Sequence, residues 1–415
     1  MPYLTTPQPR VIIAGAGIGG LTAALSLHAE GFTDIHVFEA SAQLTTLGVG
    51  INVQPSAVLI LRNLGLLPKL QDIGVETAEL NFYSRHGHPI LSEPRGAHAG
   101  YRVPQFSVHR GEFQMLLLDA ARERLGEDRI HLDHTLTSYE QQDAEGTGGD
   151  SITARFTRRS DGSDAAIPSM TGAVLIAADG INSLARRLLP YLTGASMVWA
   201  GHANQKFIAY PISGRSLRAG KSLVNWIAEL RVRAEGDPDV TPPVTDWTKR
   251  VPMERFAGPF AEWASPMCDR DPVDRWSFGR LTLLGDAAHA MYPIGSNGAT
   301  QAIIDAETLA KCLLDQTKSD KPNDIAAALK VYQETRLPPT AQIVMANRAN
   351  GPDHVLQLAH ERAPDGFANI YDVIPKEELE SIGATYKAIA GFEKDAVNVK
   401  AEQTEKLAER FATKA

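Results

Sequence analysis

VIIAGAGIGGLTAAL, residues 11–25, is the stretch whose reading decides the fold. Val11 to Ala14 is a short apolar strand candidate, and Gly15, Gly17 and Gly20 follow it in G-x-G-x-x-G spacing. In that spacing the first glycine permits a tight turn, the second lets the backbone approach a pyrophosphate, and the third lets the next helix pack closely on the strand. Ile18 and Gly19 complete the loop. The helix is predicted to run to about Glu30 and to stop at Gly31, a residue suited to the left-handed turn past a helix end.

The context is that of a nucleotide-binding βαβ unit. After the helix comes DIHVFEA, a β-rich run ending in Glu39, 19 residues beyond Gly20. An acid there is placed to hold ribose hydroxyls, and its charge disfavours a 2′-phosphate, so FAD or NAD is expected over NADP. Which of the two it is stays open on this unit alone.

Two later segments repeat the opening logic. In AVLIAADGINSLARRLL an apolar strand, Val174 to Ala177, runs into Asp179-Gly180 and then a helix predicted from about Asn182. In GRLTLLGDAAHAMYPIGSNGATQAIIDAETLAKCLL the strand Leu281 to Leu284 leads to Gly285-Asp286, a loop with Pro293 and Gly295, and a long helix from about Ala299. Residues at the carboxyl ends of such strands face the ligand crevice. Between these segments, SVHRGEFQMLLLDAARERLG is predicted to be a helix up to Gly126, with Arg110 in its first turn, where a cation opposes the helix dipole unless an anion lies nearby. Arg129 to Asp161 reads as a strand meander with polar turns.

Three strand ends carrying G-x-G-x-x-G, D-G and G-D in this order resemble the FAD-binding fold of the group A flavoprotein monooxygenases. GVGINVQP and HRGEFQMLLL look like the salicylate-hydroxylase and phenazine-modifying branch. The resemblance covers most of the chain. It implies an α/β, Rossmann-like FAD-binding fold of the glutathione-reductase type, with an interleaved mixed-sheet substrate domain and a helical C-terminal tail. The discontinuous FAD domain is expected over 8–75, 104–190 and 276–365, the substrate domain over 76–103 and 191–275, and the tail over 366–415.

The resemblance also implies roles. Gly15, Gly17 and Gly20 would bind the adenosine diphosphate half of FAD, Glu39 the ribose, and Arg110 the ribose and phosphates. Asp179, Gly180, Ser183 and Arg186, matching D-G-x-x-S-x-x-R, would border FAD and the nicotinamide donor. Asp286, following Gly285, would bind the ribityl and pyrophosphate region, and Gly48 and Gly50 belong to the loop passing near the isoalloxazine. The helix beginning near Gly298 and Ala299 offers unpaired N–H groups and a positive dipole end, which favour an anionic reduced flavin. The chemistry implied is reduction by NADH or NADPH, then attack of a flavin hydroperoxide, formed with dioxygen, on a small electron-rich aromatic or polyketide-like substrate.

The flavin carries that chemistry, so no side chain is assigned as catalytic; Tyr210, His289 and Pro293 are the weak candidates, and packing is the expected role of His289. Tyr210 and Trp226 are pocket candidates because aromatic substrates stack on aromatic rings, with a sheet core as the competing role. His86 and His88 read as a solvated hairpin tip with no third ligand, so no metal is expected. Only 107 residues separate Asp179 from Asp286, fewer than the family it resembles usually places there, which implies a shortened substrate domain. An open pocket would leave an uncoupled NAD(P)H oxidase or a non-catalytic flavoprotein as alternatives. An NAD-dependent dehydrogenase on a lone Rossmann unit leaves the D-G and G-D strand ends unexplained.

Composition bounds the rest. With 415 residues and 43% hydrophobic content the chain can bury a large core, and a net charge of -8 argues against a nucleic-acid partner. Cys268 and Cys312 have no metal-ligand or disulfide spacing, and inert thiols are expected. No apolar run reaches the ~18 residues of a membrane span, and MPYLTTPQPR lacks a signal-peptide core, so a cytoplasmic protein is expected. The charged and apolar residues of the C-terminal segment alternate at helical spacing; packing on the FAD domain and self-association as a homodimer both remain open.

Overall fold

The computed structural model describes residues 9–46, 50–142, 151–158, 167–188, 198–202, 205–211, 224–230, 270–292, 297–318, 324–349, 354–391 and 393–407. Gly48, Pro293, Gly295 and Cys268 lie outside them. The chain divides into two compact units, Met1–Arg186 with Asp269–Ala415, and Arg187–Cys268.

Along the first unit the chain forms β1 (Val11–Ala14), α1 (Ile18–Ala29), β2 (Ile35–Phe38), β3 (Gly50–Val53), α2 (Pro55–Asn63) and α3 (Leu67–Ile73). It continues with β4 (Gly74–Glu76), β5 (Glu79–Tyr83), β6 (Pro89–Pro94), β7 (Phe106–His109), α4 (Arg110–Leu125) and β8 (Ile130–His131). Next come β9 (Thr135–Gln142), β10 (Ser151–Thr157), β11 (Met170–Gly172), β12 (Val174–Ala177) and α5 (Leu184–Leu188). The second unit contributes β13 (Val198–His202), β14 (Gln205–Pro211) and β15 (Val224–Leu230), an antiparallel sheet in that order. The first unit then resumes with β16 (Ser277–Phe278), β17 (Leu281–Leu283), α6 (Asp286–His289), α7 (Gly298–Thr317), α8 (Ile325–Ala349), α9 (His354–Arg362), α10 (Lys376–Ile389) and α11 (Lys394–Gln403).

The central sheet runs β16-β17-β12-β1-β2-β8, parallel throughout except for β16. It is covered on both faces, which is why VIIA, IHVF and VLIA are continuous apolar runs in which every residue is buried. Alternation sorts the faces. Ile12 meets Gly172 of β11, and Phe38, on the same face, stacks on Phe156 of β10 with ring centroids 4.1 Å apart. The antiparallel β9–β11 sheet therefore covers that face, and Val11 and Ile13 point to the other. The meander expected over Arg129 to Asp161 thus divides: β8 joins the parallel sheet, while β9 and β10 build the covering layer.

Within the first unit the helical tail packs against α2, α7 and the segment between β6 and β7. Lys400 Nζ donates to Glu307 of α7 at 2.6 Å, Arg62 of α2 to the Ala401 carbonyl at 2.9 Å, and Asn398 to the Gly100 carbonyl at 2.9 Å. The β5–β6 hairpin shares a core with the tail through Phe82, Ile90, Val355, Ile374 and Leu379. Each such fully buried side chain contributes about 1.5–3 kcal/mol of apolar burial. The hairpin tip is exposed at Arg85, His86, Gly87 and Pro89, as the sequence suggests, and its histidines also meet the tail: the His86 ring nitrogen lies 3.0 Å from the Pro364 carbonyl, and His88 Nδ1 accepts from the Phe367 N–H. Among the described residues no helix is long and apolar enough to cross a membrane, and no cluster of three His, Cys, Asp or Glu is placed to hold a metal.

Candidate functional site

The three motifs become neighbours because their strands do. β1, β12 and β17 lie side by side and parallel, so the glycine loop, Asp179-Gly180 and Gly285-Asp286 emerge at one edge of the sheet. The ladder continues one step past each strand: Ala178 N–H donates to Ala14 O at 2.8 Å, and Leu284 N–H to Ala177 O at 2.9 Å.

Gly15 has φ +108°, and a Cβ there would stand 2.2 Å from the Ala178 carbonyl oxygen. A Cβ on Gly20 would stand 2.0 Å from the Gly15 oxygen. Both positions exclude any side chain, as close approach of helix to strand requires. Gly17 is the opposite case: a Cβ there would meet nothing within 4 Å, so this backbone faces open space. Ile18 and Gly19 open α1, with Gly19 packed against Leu284 and Ala302. No side chain caps the helix at Gly17, which leaves the first-turn N–H groups for an anion. The far end of α1 follows expectation, with Gly31 at φ +97°.

Glu39 stands just past β2. Its Oε2 accepts the Ala16 N–H at 2.8 Å and its Oε1 the Ser41 N–H at 2.9 Å, so the acid braces the glycine loop. Gln114 of α4 closes the other side, donating to the Ala16 carbonyl at 2.8 Å. Arg110, the first residue of α4, is exposed.

At the second strand end, Asp179 Oδ2 accepts from Leu184 and Ala185 N–H at 2.8 and 3.2 Å, and Ser183 Oγ from Arg186 N–H at 3.0 Å. Asp179 and Ser183 therefore build the start of α5, two residues later than expected, and Gly180 (φ +76°) makes the turn between them. Arg186 is half-buried beside Arg270; burial first, and that second cation next, hold its guanidinium below the usual value.

At the third, Gly285 (φ +62°) turns the chain so that Asp286, exposed, opens α6 and lies beside Gly298, the first residue of α7, with Ala299 following. Among the described residues no side chain caps α7. Behind this edge is a buried polar network that the sequence reading missed. Asp305 Oδ2 accepts from Gly285 N–H at 3.2 Å and lies 2.5 Å from His289 Nε2, while Oδ1 accepts from Arg336 Nε at 2.7 Å. Burial alone would raise the Asp305 carboxyl, but the charges of His289 and Arg336 hold it below the ordinary carboxylate range. His289 is buried with its ring tilted against Trp276, centroids 5.3 Å apart, which gives it a structural place. A signal was available: an acid at Asp305 falls on the apolar stripe of α7, between Ala302 and Leu309, and buried acids demand partners.

Gly50 begins β3. Tyr210 and Trp226 fall in β14 and β15, where Tyr210 pairs with Asn225 and Ala209 with Trp226. Cys312 is half-buried, and burial raises its thiol pKa, as suits an unreactive cysteine.

Two uncapped helix ends, an open backbone at Gly17 and a ribose-placed acid along one sheet edge fit FAD: the α1 end suits its pyrophosphate and the α7 end an electron-rich ring. Comparisons with known proteins agree. The FAD binding domain family matches residues 8–347. The chain is 39% identical over 388 residues to phenazine 1,6-dicarboxylic acid hydroxylase PhzS of Lysobacter antibioticus, covering 83% of this chain and 90% of that protein. It is 29% identical to 6-hydroxynicotinate 3-monooxygenase of Pseudomonas fluorescens, covering 85% and 91%. A salicylate hydroxylase–substrate complex shares the fold at TM-score 0.56 and 21% identity, covering 93% of this chain and 98% of that one. Klebsiella pneumoniae HpxO with FAD and uric acid does so at TM-score 0.55 and 23% identity, covering 97% and 98%. The chain belongs to the FAD binding domain family, in its group A flavin monooxygenase branch, and is an FAD-dependent enzyme.

Proposed function

We propose that this chain hydroxylates a small, electron-rich aromatic molecule, with heteroaromatic carboxylic acids of the phenazine kind as the leading class, using NADH or NADPH and dioxygen. The observation that carries the reading is the 39% identity across 90% of a phenazine dicarboxylic acid hydroxylase, joined to the three adjacent strand-end motifs. When bound, FAD supplies the redox chemistry, accepting a hydride from the nicotinamide and activating dioxygen for transfer to the ring.

The chain's own residues bind and orient. Gly17 with Ile18, Gly19 and Gly20 cradle the pyrophosphate on the α1 end, Glu39 takes the ribose, and Arg110, exposed at the crevice-side start of α4, reaches the phosphates. Asp286 would supply a charged acceptor for the ribityl hydroxyls, and the α7 N-terminus would favour negative charge on the reduced flavin ring. Arg186 favours an anionic donor. The segments 76–103 and 191–275, with Tyr210 and Trp226, are assigned to substrate binding, and the protein to the cytoplasm.

An uncoupled oxidase is the second reading, motivated by the 107 residues between Asp179 and Asp286. Coverage of nine-tenths or more of the relatives' length supports the hydroxylase. Anaerobic reduction of the FAD-loaded protein by NADH and by NADPH, across phenols, salicylates and phenazine carboxylates, tests the proposal. One class is expected to accelerate reduction; equal rates with every compound and with none would count against a substrate-gated hydroxylase.

A further inference from the structure

We propose that Tyr386, in the tail beyond the matched FAD binding domain, is a positioning residue for bound FAD: it holds the Asn297 side chain off the N-terminus of α7 and keeps that helix end free for the cofactor. The inference rests on the reading above that α7 faces the flavin.

The hydrogen-bond chain has a fixed direction. Asn347 Nδ2 donates to the Tyr292 carbonyl at 3.0 Å, which turns its Oδ1 toward Tyr386. The Tyr386 hydroxyl donates to that oxygen at 2.7 Å. Its single proton is then committed, so toward Asn297 the hydroxyl oxygen accepts, and Asn297 Nδ2 donates to it at 2.5 Å. All three side chains are buried, with residue exposures of 0% for Asn297, 4% for Asn347 and 6% for Tyr386, so water does not compete for these orientations.

An asparagine at a helix start ordinarily turns its oxygen onto the first-turn N–H groups. Asn297 does not: it makes no capping bond, and among the described residues its buried Oδ1 has no partner. An unpartnered buried oxygen is costly, and that cost is sustained by the tie to Tyr386. The consequence is that the first N–H groups of α7 stay available to a ligand. The tail grips the same turn a second time, because Gln301 donates to the Ala390 carbonyl at 3.3 Å while its Oε1 accepts from Arg336 at 2.6 Å.

The test is a two-residue cycle on the full chain: wild type, Tyr386→Phe, Asn297→Ala and the pair, with FAD added to apoprotein and followed by flavin fluorescence, and with the midpoint potential of bound FAD. Tyr386→Phe is expected to weaken FAD binding about tenfold and to make the potential more negative, since the released amide competes for the helix end. In the Asn297→Ala background the same substitution is expected to change binding less than about twofold. Tyr371→Phe, an exposed tyrosine of the same tail, is the control and should change neither quantity. Unaltered affinity and potential in Tyr386→Phe overturn the inference, as does a tenfold loss that persists without the Asn297 amide. If Tyr386→Phe fails to fold, Asn347→Leu frees the hydroxyl to rotate and should weaken FAD binding in the same direction; unchanged binding there overturns the inference. Failure of the wild-type chain to bind FAD would instead strike at the functional reading itself.

Discussion

Glu39 and Ala16 are joined across the crevice: the carboxylate at the end of β2 accepts the N–H of the glycine loop at 2.8 Å, with Ser41 on its other oxygen. One acid thus sets the shape of the glycine loop, and on the proposed reading it also holds the ribose. Glu39→Ala is expected to weaken FAD binding by at least tenfold, because it removes a charged acceptor from both. Asp286→Ala should weaken binding in the same direction but leave the melting temperature of the apoprotein unchanged, since Asp286 is exposed. Flavin fluorescence titration and a melting curve read the two effects separately.

Asp305 makes a distinct prediction because it is fully buried between the His289 ring and the Arg336 guanidinium. Asp305→Ala leaves Arg336 uncompensated and should cost about 3–5 kcal/mol of stability. The wild-type carboxyl is depressed in the folded state, so its contribution is present above the unfolded value near 3.8 and is lost as pH falls through the lower folded value. Urea midpoints measured from pH 5 down to pH 3 should fall more steeply for wild type than for Asp305→Asn.

His131 has a pH signature of the same sign in a higher window. It stacks on Phe38 with centroids 4.5 Å apart and lies 3.0 Å from the His36 ring nitrogen. Burial first, then the neighbouring charges of His36 and His134, push its pKa down to about 4. Between that value and the unfolded value near 6.5 the unfolded chain binds the extra proton, so stability declines as pH falls across that window and levels off below it. An NMR titration of the His131 ring should show a midpoint near 4, and His131→Gln should flatten the slope of stability between pH 6.5 and 4.

The parts of the fold legible in the sequence are those written locally. Val11–Ala14, Val174–Ala177 and Leu281–Leu283 are recognisable as buried strands because each is a short apolar run ending at a turn-forming pair. Their order in one sheet is not written there and comes from the pairing of β12 with both β1 and β17. The bond from Glu39 to Ala16 was not legible, because spacing shows where an acid stands and not what its oxygens accept. The Asp305–Arg336 pair and the Tyr386–Asn297 bond were hidden for a related reason: each joins residues 31 and 89 positions apart, which no local period relates. Pro338 and Pro339 should interrupt a helix, yet α8 runs through them, with the Thr340 hydroxyl donating to the Arg336 carbonyl at 2.8 Å. The identity of the substrate was not legible either, since strands such as β14 and β15 place aromatic residues on a sheet without stating whether they meet a ligand or one another.

The most direct test of the central claim is oxygen-18 incorporation. The FAD-loaded protein, given NADH or NADPH, labelled dioxygen and a phenazine carboxylic acid, is predicted to consume about one nicotinamide per hydroxylated product, each product carrying one labelled oxygen atom. Nicotinamide consumption matched by hydrogen peroxide alone, with no labelled product from any aromatic acid supplied, would contradict it.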